Sequence, residues 1–192
     1  LSLWRRRGGA GFLALLLGVA AAPLPAGEVK TDRRFFQATI AQAKQGDALA
    51  QCALGACFES GRGVLQDLGE AVKWYRKSAG QGDALAQCAL GVCYEKGRGV
   101  AKDLAEAARW YAKSAAQGYP RGQYDLGACY ANGLGVAKDY VAAHKWYSLA
   151  AAKAYEPARK ALPALERRMT PERLAQARRV SMAAVSEKKT AQ

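Results

Sequence analysis

The stretch GDALAQCALGACFESGRGVLQDLGEAVKWYRKSAGQ, residues 46–81, returns as GDALAQCALGVCYEKGRGVAKDLAEAARWYAKSAAQ at 82–117 and as GYPRGQYDLGACYANGLGVAKDYVAAHKWYSLAAAK at 118–153. A gapless 36-residue period marks a supersecondary unit that cannot bury its apolar face alone and must stack on its neighbours. Within the first block Ala50, Leu54, Cys57 and Phe58 fall at i, i+4, i+7 and i+8, one face of a helix. Asp47 and Asp83 stand at N-cap positions, and the third block has Tyr119 with Pro120 at the first helical position. The helix is expected to stop at Gly61-Arg62-Gly63, Gly97-Arg98-Gly99 and Gly133-Leu134-Gly135. A second helix begins at Asp67, Asp103 or Asp139, with Asp67-x-x-Glu70 and Asp103-x-x-Glu106 at capping-box spacing.

The second helices carry Ala71, Trp74, Tyr75 and Ala79, then Ala107, Trp110, Tyr111 and Ala115, then Ala143, Trp146, Tyr147 and Ala151. The aromatic pairs are expected to form a ladder through the core; a sugar-stacking box is the sharper alternative. Gly55, Gly91 and Gly127 sit mid-helix at about 1 kcal/mol each, which implies that a neighbour approaches closely there. The paired loop glycines follow no strand and do not read as a nucleotide site.

At 192 residues the chain has 29 basic and 16 acidic side chains. The N-terminus, LSLWRRRGGAGFLALLLGVAAAPLPAGEVK, combines three arginines, an apolar run from Phe12 to Ala22 and small residues suiting cleavage near Ala26. Residues 1–26 are read as a secretory signal peptide, because that run falls short of the ~20 residues a span needs; no integral span is expected after its removal. The location expected is periplasmic or secreted. Residues 46–152 carry 12 basic and 10 acidic groups, whereas residues 153–192 carry 10 and 4. The excess includes Arg167, Arg168, Arg173, Arg178 and Arg179, a candidate basic surface that meets an anionic envelope surface or is simply a solvated helix face. Nucleic acid is not expected as a partner.

The pattern A-x-A-Q-(C/Y)-x-L-G-x-x-(F/Y), followed by G-x-G-V-x-x-D-x-x-x-A-x-x-W-Y, resembles the Sel-1-like repeat, a relative of the tetratricopeptide repeat with a longer inter-helix loop. The resemblance implies an all-α, right-handed α/α superhelical solenoid of three helix-loop-helix repeats (46–81, 82–117, 118–153), with first helices on the concave side. It also implies an N-terminal capping helix over 27–45, carrying Phe35, Phe36, Ile40 and Ala43, and C-terminal capping helices over 154–185. There Thr170 caps the last helix and Pro171 takes its first position; residues 186–192 are read as a disordered tail. The implied role is that of a scaffold or adaptor.

Five cysteines follow the period: Cys52 and Cys88 at one position, Cys57, Cys93 and Cys129 at another. Cys52 and Cys57 cannot share a helix face, and the inner three read as small buried hydrophobes. Cysteine-rich secreted members of the family clamp successive repeats with disulfides; Ala79, Ala115 and Gln87 stand where that pair is implied, so the clamp is missing. Neither a metal site nor a cofactor is expected. The single histidine, His144, is placed on the exposed side of a second helix, which disfavours a His-based triad. β-Lactam chemistry needs Ser-x-x-Lys with companion motifs, and the one instance, Ser186 to Lys189, lies in a polar tail without them.

The sequence therefore reads as a non-enzymatic scaffold that binds a protein or peptide, with tethering through the basic tail as the alternative and β-lactam binding or hydrolysis as the remote one. Candidate groove residues are Gln51, Cys52, Gln87, Cys88, Gln123 and Tyr124. The glutamines would serve a ligand's backbone or join repeat to repeat.

Overall fold

The expected start and stop signals are used, except that the capping boxes are only half formed: the Asp67 and Asp103 N–H groups donate to the Phe58 and Tyr94 carbonyls, and Glu70 and Glu106 pair with Lys73 and Arg109 instead of reaching back. Asp47 and Asp83 have extended backbone, and their carboxylates accept from the N–H of Ala50 and Ala86, opening α2 (Ala48–Ser60) and α4 (Ala84–Lys96). Tyr119 and Pro120 open α6 (Pro120–Asn132) without a side-chain cap. Gly61, Gly97 and Gly133 close these helices in the left-handed conformation, donating back to Cys57, Cys93 and Cys129. Asp67, Asp103 and Asp139 then cap α3 (Leu68–Gly80), α5 (Leu104–Ala116) and α7 (Tyr140–Ala152). Flanking them are α1 (Ala26–Lys44), α8 (Glu156–Glu166) and α9 (Pro171–Thr190). The computed structural model describes residues 26–190, so the signal-peptide reading lies outside the described residues but for Ala26. At the other end α9 continues to Thr190, past the point where the sequence reading begins a disordered tail.

The architecture is an all-α solenoid of helix-loop-helix units. Each core is shared between units: Ala71, Val72, Tyr75 and Ala79 of α3 pack with Ala86, Leu90 and Cys93 of α4, and Ala107, Ala108, Tyr111 and Ala115 of α5 pack with Leu126 and Cys129 of α6. No repeat owns a complete core, which is the physical content of the period. α1 occupies the place of a second helix, because its Ala43 carbonyl accepts from Gln51 as Ala79 accepts from Gln87 and Ala115 from Gln123. The first helices α4 and α6 also touch directly, and α6 touches α8, so the outer faces of these three adjoin.

The mid-helix glycines have the close neighbour their position implies. A Cβ at Gly91 would lie 2.6 Å from the Tyr111 ring, and one at Gly55 2.7 Å from Tyr75. The aromatic pairs do not stack into a continuous ladder: Tyr75, Tyr111 and Tyr147 are buried, one in each of three successive clusters, while Trp74, Trp110 and Trp146 are only partly buried. Lysine ammonium groups lie over all three indoles, Lys77 over Trp74 and Lys113 over Trp110 at 3.9 Å from the ring centre and Lys145 over Trp146 at 5.2 Å.

The C-terminal cap departs from the repeat. Four residues, 167–170, separate α8 from α9, whereas seven, 61–67, separate α2 from α3. Thr170 accepts from the Arg173 and Leu174 N–H groups at the helix start, as the sequence implies. With so short a link α9 packs against α7 far more closely than against α8.

Candidate functional site

Helix rotation decides which groove residues meet solvent. Gln51, Gln87 and Gln123 are buried, and their amides donate to Ala43, Ala79 and Ala115 carbonyls at 3.2, 3.3 and 3.3 Å. The Gln51 and Gln87 amide oxygens accept from Gln81 and Gln117 at 2.8 Å each. Of the two roles open to the glutamines, the structure gives them the repeat-to-repeat bond. Cys52 and Cys88 are buried as well, which leaves Tyr124, half-buried, as the member of the set with exposed surface. Tyr124 stacks on Tyr147 with centroids 5.3 Å apart and lies 5.6 Å from the Tyr155 ring.

The open first-helix face lies about 100° around each helix, one position away. It carries Leu49, 70% exposed, with Ala53 and Ala56, and Leu85, 47% exposed, with Ala89 and Val92. In the third repeat the same face turns polar as Arg121 and Asp125. Arg121 Nε is 3.6 Å from the Asp125 carboxylate, which accepts from the Cys88 thiol at 3.4 Å. Burial above all raises the Asp125 pKa from the ordinary carboxylate range. At the other end of the face a cleft of about 640 Å³ is bounded by Phe35, Ala53, Ala56, Arg62 and Arg98. Arg62 lies 4.4 Å over the Phe35 ring and pairs with Asp32 at 2.7 Å, while Arg98 pairs with Glu59 at 2.9 Å.

All five thiols are free and buried. Burial is the first cause that pushes Cys52 and Cys129 up to about 12 and Cys93 up to about 11, so they are protonated and inert near neutrality. Where the family's disulfide clamp is implied, the chain has a glutamine amide on an alanine carbonyl, Gln87 to Ala79. Among the described residues no three His, Cys, Asp or Glu side chains gather to hold a metal ion, and no helix is long and apolar enough to cross a membrane.

His144 corrects the sequence reading: it is 4% exposed, not on an open helix side. It sits at the period position of Val72 and Ala108, both buried, and that register was the signal available to place it. Its Nδ1 is 2.7 Å from Ser181 Oγ and its Nε2 is 3.0 Å from Glu166 Oε1. Arg178 donates to both Glu166 oxygens at 3.3 and 3.1 Å; this bond first and His144 second hold the Glu166 pKa below the ordinary carboxylate range. Serine, histidine and glutamate in contact invite a hydrolase reading, which the setting opposes. Ser181 is 3% exposed and lies within α9, where backbone N–H groups are spent on the helix and offer no oxyanion donors. The trio is a clamp that fastens α9 onto α7 and α8. Ser186 is equally poorly placed, its hydroxyl donating to the Ala183 carbonyl at 2.8 Å. Arg167, Arg168, Arg173, Arg178 and Arg179 are all exposed, with Arg178 on Glu166 and Arg168 4.9 Å over the Tyr140 ring.

Comparison with known proteins agrees with this geometry. The Sel1 repeat model matches residues 48–83, 84–119 and 120–155. A Sel1 repeat protein from Oxalobacter formigenes is 41% identical over 68% of this chain and 98% of its own, with a TM-score of 0.62. The protein c5321, a protective antigen present in uropathogenic Escherichia coli strains and displaying an SLR fold, is 35% identical with a TM-score of 0.73. That match covers 79% of this chain but 32% of c5321, so the chain spans about a third of that protein's length. No curated protein matches. Three matched repeats, their shared cores and their capping helices make this chain a member of the Sel1 repeat family, a tetratricopeptide-like scaffold for protein interaction.

Proposed function

We propose that the chain works outside the cytoplasm, in the periplasm or secreted, and holds an extended apolar segment of a partner protein along its first-helix face. The observation that carries this reading is the pair Leu49 and Leu85, 70% and 47% exposed at equivalent positions of adjacent repeats. Covering the surface they still expose is worth about 1–2 kcal/mol at Leu49 and about 1 kcal/mol at Leu85. Alanines and a valine between them allow a backbone to approach, and a ligand running on would meet Tyr124, Arg121 and Asp125. The arginine-led apolar N-terminus supports export.

The test is site-directed photo-cross-linking in an envelope extract, with the probe at position 85 or at exposed Arg109 on α5. Adducts at 85 and not at 109, stable to salt and lost in the Leu49→Glu variant, are expected; Tyr124→Ala should weaken them. Adducts that vanish in high salt and depend on Arg178 and Arg179 would replace the groove with tethering to an anionic envelope surface.

A further inference from the structure

The short link between α8 and α9 has a steric consequence. Both helices lean on α7 but hardly on each other, and a groove of about 540 Å³ opens between them. Ala151 and Ala152 of α7 form its floor, Leu162 of α8 one wall, and Met182 and Val185 of α9 the other. One end is closed by the His144–Glu166–Arg178 clamp. Met182 is 73% exposed at this edge, on a helix otherwise rich in charge.

We infer that this groove docks an amphipathic helix of a partner protein, one whose apolar stripe is flanked by acidic side chains. A channel walled by a helix on each side, with a third as floor, suits a rod and not a flat lipid surface; laying an apolar helical stripe into such a groove is a recurrent mode of recognition. The flexible methionine adapts to the stripe. Charge selects the flanks. Residues 153–192 hold 10 basic and 4 acidic groups, and two of those acids are already engaged, Glu156 by Arg159 and Glu166 by Arg178. Arg178 lines the groove but is shared with Glu166, so the positive charge of the rim comes from exposed Arg179, one helical turn from Met182 on α9; Arg167 is exposed at the end of α8. A second copy would bring like charge to that rim, whereas an acidic helix is drawn to it. The site lies on a second helix and the cap, and does not depend on the first-helix groove.

The full chain is titrated with two fluorescent synthetic helical peptides that share one Leu/Ala stripe and carry Glu or Lys at the flanks. Anisotropy gives affinity, and the methyl resonances of the only two methionines, Met169 and Met182, give location. The Glu peptide is expected to bind at least about tenfold more tightly than the Lys peptide, shifting Met182 and not Met169. Met182→Glu should reduce binding by about tenfold or more; since Met182 is exposed, its thermal midpoint should stay at the wild-type value. Equal affinity for both peptides, no binding of the Glu peptide, or a shift confined to Met169 overturns the inference. So does a Met182 shift produced only by anionic phospholipid vesicles, which would make this a lipid-facing surface.

Discussion

In the first two repeats a serine hydroxyl on the second helix donates to the opening carbonyl of the first, Ser78 to Ala48 and Ser114 to Ala84 at 2.7 Å, and a glutamine just beyond closes the unit, Gln81 onto Gly46 and Gln117 onto Gly82. Tyr75 and Tyr111 give their hydroxyls to Glu59 and Glu95 at 2.7 and 2.6 Å. In the third repeat Ala150, Lys153 and Ala131 occupy those places, and Tyr119 replaces the capping aspartate. Lys153 reaches the Gly118 carbonyl at 2.6 Å, leaving the buried Gln123 Oε1 without the partner its counterparts have. What the third repeat has instead is aromatic packing of Tyr124 with Tyr147 and Tyr155, and the Arg121–Asp125 pair on its open face. Polar bonds fix register where another repeat follows; packing against the cap replaces them where the stack ends. The third repeat should accordingly open more readily than the second.

Thiol labelling exposes that difference most strongly. Raising a thiol from 9 to about 12, as at Cys52 and Cys129, lowers its thiolate fraction by about a thousandfold, so native labelling by iodoacetamide should be suppressed at least that far relative to the unfolded chain. By acidity alone Cys93, at about 11, should react before Cys129. Local opening reverses the order. Peptide mass spectrometry at mildly alkaline pH is expected to find Cys129 modified first, and the opposite order would show the third repeat to be as closed as the second.

Gly91→Ala follows in size. The added methyl would sit 2.6 Å from the ring of Tyr111, which Glu95 pins, so a loss of about 2 kcal/mol is expected in urea unfolding. Gly127→Ala meets Tyr147 at the same 2.6 Å, but Ala131 stands where Glu95 would hold the ring, and a loss of about 1 kcal/mol is expected. Equal losses would remove the pin from the account. Lys153→Gln is smaller and opposite in sign: it supplies the donor that Gln123 lacks and should stabilise by about 1 kcal/mol, while Gln117→Lys should cost a similar amount.

The repeat frame was legible because caps, loop glycines and apolar stripes are local signals restated three times. Asp67 and Gly61 do what their types and spacing predict. The surface was less legible, since neighbouring positions on one helix differ by about 100°. Gln51 and Cys52 turn toward adjoining repeats while Leu49 and Ala53 face out, and a stripe of alanines shows no polarity that would say so. His144 was misplaced for a different reason. Its period counterparts, Val72 and Ala108, mark an inward position, but its partners, Ser181 and Glu166, come from helices outside the period and no spacing within the repeats names them.

The weakest effect separates the cap from the repeats by pH. The folded state holds Glu166 below its ordinary pKa, chiefly through Arg178 and then His144. A depressed carboxylate contributes stability above the unfolded value of 4.5, and that contribution is lost as pH falls below 4.5 through the folded value. Glu166 keeps 27% of its side chain in solvent, so screening limits the contribution to well under about 1 kcal/mol. Hydrogen-exchange protection factors, which divide out the slower intrinsic exchange at acid pH, should therefore fall in α9 and the facing turns of α7 on acidification through this range, before those of α3 to α5. Glu166→Gln should remove the pH dependence while retaining a side chain of the same shape. A simultaneous fall in protection across α3 to α9 would mean that the cap and the repeats open as one unit, and that the clamp sets no boundary between them.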